Sequence, residues 1–421
     1  MCFKKDLIQI LKDTIVLVVI TLVIYLFQLL SHYVNSLNNL FSTNNILEIS
    51  LYSILVLVLG MFELSIVFFY DKKEDNLSSL SLRNKKNKKR FLLFKILVIF
   101  ITCLISFFIG LALGEEGPSV LIGSIIGLVV GRIASKDEEE IKLTNLGGAI
   151  GFSLAFLNPI AGLLKYHKYN ENLSKSIREY LRVIYSLVLS YILLSLLKKD
   201  FHYFLYFDLD NKVTTPVSLI FLILPFIIFI FSFIFKRICK RINKIVNKHK
   251  IFSYFIYPFV ILALAIILKI YYPALKGSGS SIINNILTIT SLSSLLIYFL
   301  IRFIFLILSF TSKFKGGIVI PSVTLGFLLG KLIAECINNY IYPLSNDELI
   351  VISIISGCLF YSFTFKELFV GASLIFSFGN PIILLPPLII SISISYILFK
   401  VLPIYSINEF INEKFSSKLM L

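Results

Sequence analysis

Apolar runs separated by short polar breaks follow one another along nearly the whole chain. They fall at about 14–31, 46–70, 91–113, 178–197, 215–235, 251–272, 282–310, 321–341, 349–365, 367–379 and 381–402. A helix that spans lipid needs roughly 18 or more mainly apolar residues, and most of these runs meet or approach that length. The pattern predicts an all-α polytopic membrane protein. Two stretches stand apart. The helix expected at 118–134 is too short to span upright, and GGAIGFSLAFLNPIAGLLKY at 147–166 is rich in small residues suited to close helix packing. Short or Gly/Pro-broken helices sit at membrane depth only where protein or a cavity surrounds them. Acidic KDEEE at 136–140 reads as a solvated turn, and KGSGSS at 276–281 as a loop.

The short helix carries the chemistry. GEEGPSVLIGSIIGLVVG at 114–131 sets two carboxylates, Glu115 and Glu116, between glycines in an otherwise almost uncharged stretch. Pro118 predicts a helix start, since proline at the first helical position forfeits an N–H that lacks a partner there anyway. Bare backbone at Gly114 and Gly117 lets neighbouring amides point into one small space, and a helix start attracts anions through its free N–H groups and dipole. Glu116 fills such a site when ionised and vacates it when protonated, which makes it a candidate gate; the same residue type also caps helix starts. A second copy follows. Pro118, Ser119, Val120, Gly123 and Gly127 recur in register as Pro321, Ser322, Val323, Gly326 and Gly330, with Gly316 and Gly317 ahead of the second proline. Two helix starts of one design, one per half, are what a transporter with internal repeats places around a midplane ion site.

Composition narrows the field. The chain has 421 residues, 57% of them hydrophobic and 15% charged, with no Trp, so any aromatic belt is built from Tyr and Phe. A net charge of +16 sits in short runs between apolar spans, chiefly 72–90 and 236–250, which points to orientation by cytoplasmic basic loops and not to nucleic acid. With basic Lys4 and Lys5 ahead of a first run lacking a cleavage site, the N-terminus is expected to be cytoplasmic and the first helix retained. Five dispersed Cys and four dispersed His predict neither a metal site nor a disulfide framework, and no cofactor. About twenty residues follow the last run, so the expectation is a single transmembrane domain over 1–421. Its halves fall at about 91–235 and 251–405, with no soluble regulatory domain.

GEEGPSVLIG at 114–123 resembles the gating motif of the CLC family of chloride channels and proton-coupled chloride antiporters, usually G-[KR]-E-G-P. Three more stretches match in family order: FLNPIAG (156–162), GGIVIPSVTLG (316–326) and PIYS (403–406), with KGSG (276–279) as a Gly-rich loop of the second half. The match covers about residues 90–410. The resemblance implies an inverted repeat of two halves whose tilted, broken helices meet at a midplane anion site. It also implies a homodimer in the cell membrane with one pore per subunit, carrying chloride or a similar small anion, with protons in exchange where coupling exists. Glu116 takes the gating and proton-shuttling role. The amides of Gly117 and its neighbours line the outer side of the site, Ile318 and Val319 offer amides from the second half, and the Tyr405 hydroxyl donates from the cytoplasmic side. Backbone and hydroxyl donors hold a halide without trapping it.

Departures from the pattern are informative. The family's G-S-G-I-P is not recognisable; Ser79, in NLSSLSL, is the nearest candidate for its anion-binding serine. Glu115 stands where a basic residue is usual, at the outer rim of the anion path. The inner proton-transfer glutamate of many antiporters counts here to Lys168 or Tyr169, neither a carboxylate. Channel and exchanger therefore both stay open, as does selectivity for fluoride or another anion. From a different class, a carrier for an organic solute predicts more midplane charges than Glu116, Glu335 and Glu367 supply. A membrane enzyme predicts a His or carboxylate cluster, and the sequence presents none.

Overall fold

The computed structural model describes residues 2–41, 45–76, 89–134, 137–170, 176–197, 206–209, 213–249, 251–285, 288–289 and 291–411. The chain runs through α1 (Cys2–Leu37), α2 (Ile46–Asn76), α3 (Lys89–Ile109), α4 (Glu116–Ala134), α5 (Asp137–Phe156), α6 (Pro159–Tyr169), α7 (Ile177–Leu197), α8 (Thr215–Ser218) and α9 (Ile220–Val246). It continues through α10 (Tyr257–Tyr271), α11 (Ser280–Asn284), α12 (Leu292–Thr311), α13 (Val319–Tyr340), α14 (Asn346–Phe365), α15 (Leu368–Ser373), α16 (Pro381–Val401) and α17 (Ile407–Ile411). Among the described residues ten helices are long and apolar enough to cross a membrane, and the extended backbone amounts to isolated bridges.

Burial separates the lipid-facing helices from the inner ones. The most apolar stretches of α13 and α14 are 78% and 94% buried, against 28–44% for the other eight candidate spans, so these two form the centre of the second half. Small residues permit the close crossing. Added methyls at Gly326 and Gly330 of α13 would fall within 2.7 Å of Gly357 and Ser356 on α14. Gly123 and Gly127 of α4 stand in the same relation to Gly147 and Leu143 on α5. The repeat read in the sequence thus recurs as two hairpins sealed by equivalent glycines.

Several expected boundaries move. Both repeat helices begin two residues before their prolines, at Glu116 and Val319, because proline is tolerated throughout the first turn, where N–H groups have no intrahelical partner. KDEEE is not wholly a turn: Asp137 to Glu140 form the first turn of α5, and Glu140 accepts from Arg132 Nε at 3.2 Å. The run at 282–310 is split into α11 and α12. α9 continues through the second basic patch to Val246. There Lys236 is only 2% exposed and donates to the carbonyls of Phe363 and Tyr405 at 2.8 and 3.1 Å. A lysine in a basic run can thus be an interior donor, because its long apolar stem carries the ammonium to unpaired carbonyls.

Candidate functional site

The two Gly-rich helix starts meet. Gly114 N donates to Gly317 O at 2.7 Å and Gly317 N to Gly114 O at 2.6 Å, an antiparallel bridge joining the first half to the second. Contact is so close that a methyl added at Gly117 would lie 2.8 Å from Gly317 Cα. Only glycines on both sides allow it.

Glu116 sits at the centre of this junction. Its side chain is 3% exposed and folds back over Gly114, where an added methyl would meet Oε2 at 2.3 Å. Oε2 accepts from the Ile320 amide at 3.5 Å. The carboxylate thus leaves the N-terminus of α4 and reaches the N-terminus of α13. Two helix starts with their positive dipole ends converge on one carboxyl group.

A cavity of about 220 Å³ opens beside it, lined by Glu115, Glu116, His32, Ser278, Asn284 and Ile320 among others. Glu115 is half-buried and accepts from Ser31 Oγ at 2.7 Å. The Gly-rich loop contributes Gly277, Ser278 and Ser280 to the cavity wall, and Arg302 holds that loop in place. Arg302 is fully buried and donates to the carbonyls of Leu275, Gly277 and Ser278.

Of the residues the sequence singles out, Glu115, Glu116 and Gly117 come together with the segment bearing Ile318 and Val319. The second-half amide that touches the carboxylate belongs to Ile320, one residue beyond the pair expected. Ile318 is the N-cap of α13, and Val319 is its first residue. Tyr405 lies between α16 and α17 with its side chain 51% exposed; its backbone carbonyl, not its hydroxyl, makes the described contact, to Lys236. Ser79 lies outside the described residues. FLNPIAG performs a joining role: Asn158 caps α6 by accepting from Ala161 N at 3.0 Å and donates across to Ser373 O at 2.7 Å.

Two buried charges near the junction have no counterpart among the sequence candidates. Glu63 on α2 is 0% exposed and accepts from Ser106 Oγ at 2.8 and 3.1 Å and from Lys315 N at 3.0 Å. Arg302 is the other. Each appears in the sequence as one polar letter inside an apolar run, with nothing local to mark it.

The family model described as "Voltage gated chloride channel" matches residues 75–400, more than three quarters of the chain. The chain belongs to this family. A CLC relative, the "H(+)/Cl(-) exchange transporter ClcA" of Vibrio parahaemolyticus serotype O3:K6, is 26% identical over 314 residues. The alignment covers 70% of this chain and 65% of the relative, so the chain spans just under two thirds of that protein's length. Among solved structures, a slow cyanobacterial Cl⁻/H⁺ antiporter superposes with TM-score 0.79 at 15% identity, covering 95% of this chain and 96% of the other. A CLC-type fluoride/proton antiporter gives 0.76 at 19%, covering 96% and 98%. A eukaryotic CLC transporter gives 0.71 at 20%, covering 95% and 73%. These likenesses establish the CLC fold, in which the Gly114–Gly317 bridge joins the two repeated helix starts.

Proposed function

We propose that this protein conducts a small anion, chloride in the first instance, across the cell membrane, with Glu116 as its gate. One observation carries the reading: a buried carboxylate lies across the starts of two helices from opposite halves, where a dehydrated anion would find the same amides and the same dipoles. Ionised, Glu116 competes with the anion. Protonated, it loses the charge that holds it there, and the anion takes its place. The family membership and the relative named as an H(+)/Cl(-) exchange transporter support this reading and add proton exchange to it.

The unit of function is a homodimer in the bilayer with the N-terminus and the two basic stretches on the cytoplasmic side. Residues 1–421 act as one transmembrane domain, with Ile318, Val319 and Gly117 supplying amides and Tyr405 guarding the inner mouth. Fluoride is the second reading, favoured by the superposition on a fluoride/proton antiporter and by the absence of a recognisable G-S-G-I-P.

Reconstitution into liposomes tests both. Anion efflux is measured with chloride, nitrate and fluoride, together with uphill proton movement driven by an anion gradient. Glu116→Gln is expected to keep or raise anion flux while abolishing proton movement. A parent protein that passes none of the three anions overturns the reading.

A further inference from the structure

We propose that Glu63 is a second proton-binding carboxylate of the transport pathway, coupled to the gate through the Lys315–Gly317 segment; this rests on the transport reading above. Glu63 lies inside the apolar span Ile46–Phe69, where an ionisable residue is costly and by default functional. Its hydrogen-bond donors are the Ser106 hydroxyl of α3 and the Lys315 backbone amide. Lys315 is followed by Gly316 and Gly317, and Gly317 is bridged to Gly114, two residues from Glu116. One short path of bonds therefore runs from the Glu63 carboxylate to the gate, and it passes through the two amides that tie the halves together.

The other interior carboxylates are committed elsewhere. Glu367 accepts from Lys165 Nζ at 2.6 and 2.7 Å and from the Tyr361 hydroxyl, with Lys168 Nζ at 3.5 Å. Burial raises its pKa, but the two lysines more than offset that and hold it below the ordinary carboxylate value, so it stays ionised. Glu335 pairs with Lys331 at 2.8 Å, Asp13 with Arg182 at 2.7 Å, and Glu348 completes the capping box of α14 with Ser345. Among the described residues no ammonium is in hydrogen-bond contact with Glu63. The groups facing it are Cys103 and Ser106 on α3 and Lys315, whose ammonium acts on it electrostatically. From α10, which packs on α2, the titratable side chains are engaged or directed elsewhere: Tyr257 bonds Thr311, Lys269 lies over the Tyr52 ring and Tyr271 is exposed.

Proton binding here is a simple association, a carboxylate and a proton giving a carboxylic acid. Ionised Glu63 adds a negative charge behind the segment that feeds the anion site and so disfavours the anion. Protonation removes that charge, so anion flux rises as pH falls, in the same direction as the effect of Glu116.

Anion flux against pH in liposomes, with the full chain, separates the two. Glu116→Gln is expected to retain a residual rise on acidification, and Glu63→Gln/Glu116→Gln to lose it. Glu63→Gln alone is expected to conduct with a profile set by Glu116. Identical profiles for Glu116→Gln and the double variant, or a Glu63→Gln profile that superposes on the parent, overturn the proposal. Infrared difference spectra of the purified protein give a readout independent of transport: a protonated-carboxyl C=O band lost in Glu63→Gln supports proton binding, and no such band overturns it. If no preparation passes anions, the transport reading falls by itself, and the infrared result still decides Glu63. Where Glu63→Gln does not fold, Glu63→Asp serves, and a band with unshifted pH midpoint overturns the assignment.

Discussion

Replacing Gly317 with alanine tests the junction more directly than any change to the gate. An added Cβ there meets Gly117 N at 2.5 Å, Gly114 O at 3.0 Å and Gly117 Cα at 3.1 Å. All three are backbone atoms, so no side-chain rotation relieves the clash; the two helix starts must separate. Overpacking of this kind costs about 1–3 kcal/mol, and each of the two bridge hydrogen bonds contributes about 1 kcal/mol net, so the expected loss is on the order of 3–5 kcal/mol. The same separation draws the Ile320 amide away from Glu116 and loosens the ionised gate. Two measurements check this: thermal unfolding in detergent, and anion flux at alkaline pH, which should rise relative to the parent. A Gly317→Ala protein with the parent's Tm and the parent's flux profile would refute the argument that the bridge holds the gate.

Further outcomes follow from the contacts around the site. Lys165→Met strips Glu367 of its nearer lysine, and breaking such a buried pair costs about 3–5 kcal/mol, seen as a lowered Tm that Lys165→Met/Glu367→Gln largely restores. Because the Glu367 carboxyl is held below its ordinary value, its contribution to stability is present above the unfolded-state pKa and lost only as pH falls through the depressed one. The Tm of the parent should therefore show no step from this cluster between neutral pH and mild acid. Arg302→Lys replaces a fork that donates to three carbonyls with a single ammonium, and hydrogen exchange in the Leu275–Ser278 loop should accelerate while α13 and α14 stay protected. Tyr405→Phe keeps the carbonyl that accepts from Lys236 and removes only the hydroxyl, so the fold should be intact and the chloride-to-nitrate flux ratio altered; an unchanged ratio removes Tyr405 from the anion path.

What the sequence disclosed and what it concealed divide along a physical line. The spans, the short helix after Gly114 and the matched helix starts are set by local rules, namely length, hydropathy and the placement of Pro and Gly, so they could be read from the chain. Glu116 could be read because its signal is local too: a carboxylate beside glycines at a helix start. Ile320 as the amide partner depends on where α13 begins: with the helix starting at Val319, Ile320 is its second residue and its N–H has no intrahelical partner. Glu63 and Arg302 were invisible for another reason. Their partners, Lys315 and the Leu275–Ser278 carbonyls, lie 252 and 24 to 27 residues away, and a lone charge in an apolar run gives no hint of which distant backbone group will satisfy it.

That division explains why the site lies where it does. An anion at membrane depth needs donors without fixed positive charge, and backbone amides are available only where a helix starts or a chain is left unpaired. Each half supplies one such start, yet neither alone surrounds an ion. Joining them demands backbone contact too close for any side chain, which Gly117 and Gly317 provide, and an anchor on the segment leading into the second start, which Glu63 provides through the Lys315 amide. On the proposed reading, a carboxylate in that anchoring position responds to protons as the gate does, so the coupling between halves and the sensing of pH share the same few bonds. Separating them by mutation should therefore be harder at Gly317, where structure and gating fail together, than at Glu63, where glutamine keeps the acceptor and removes only the charge.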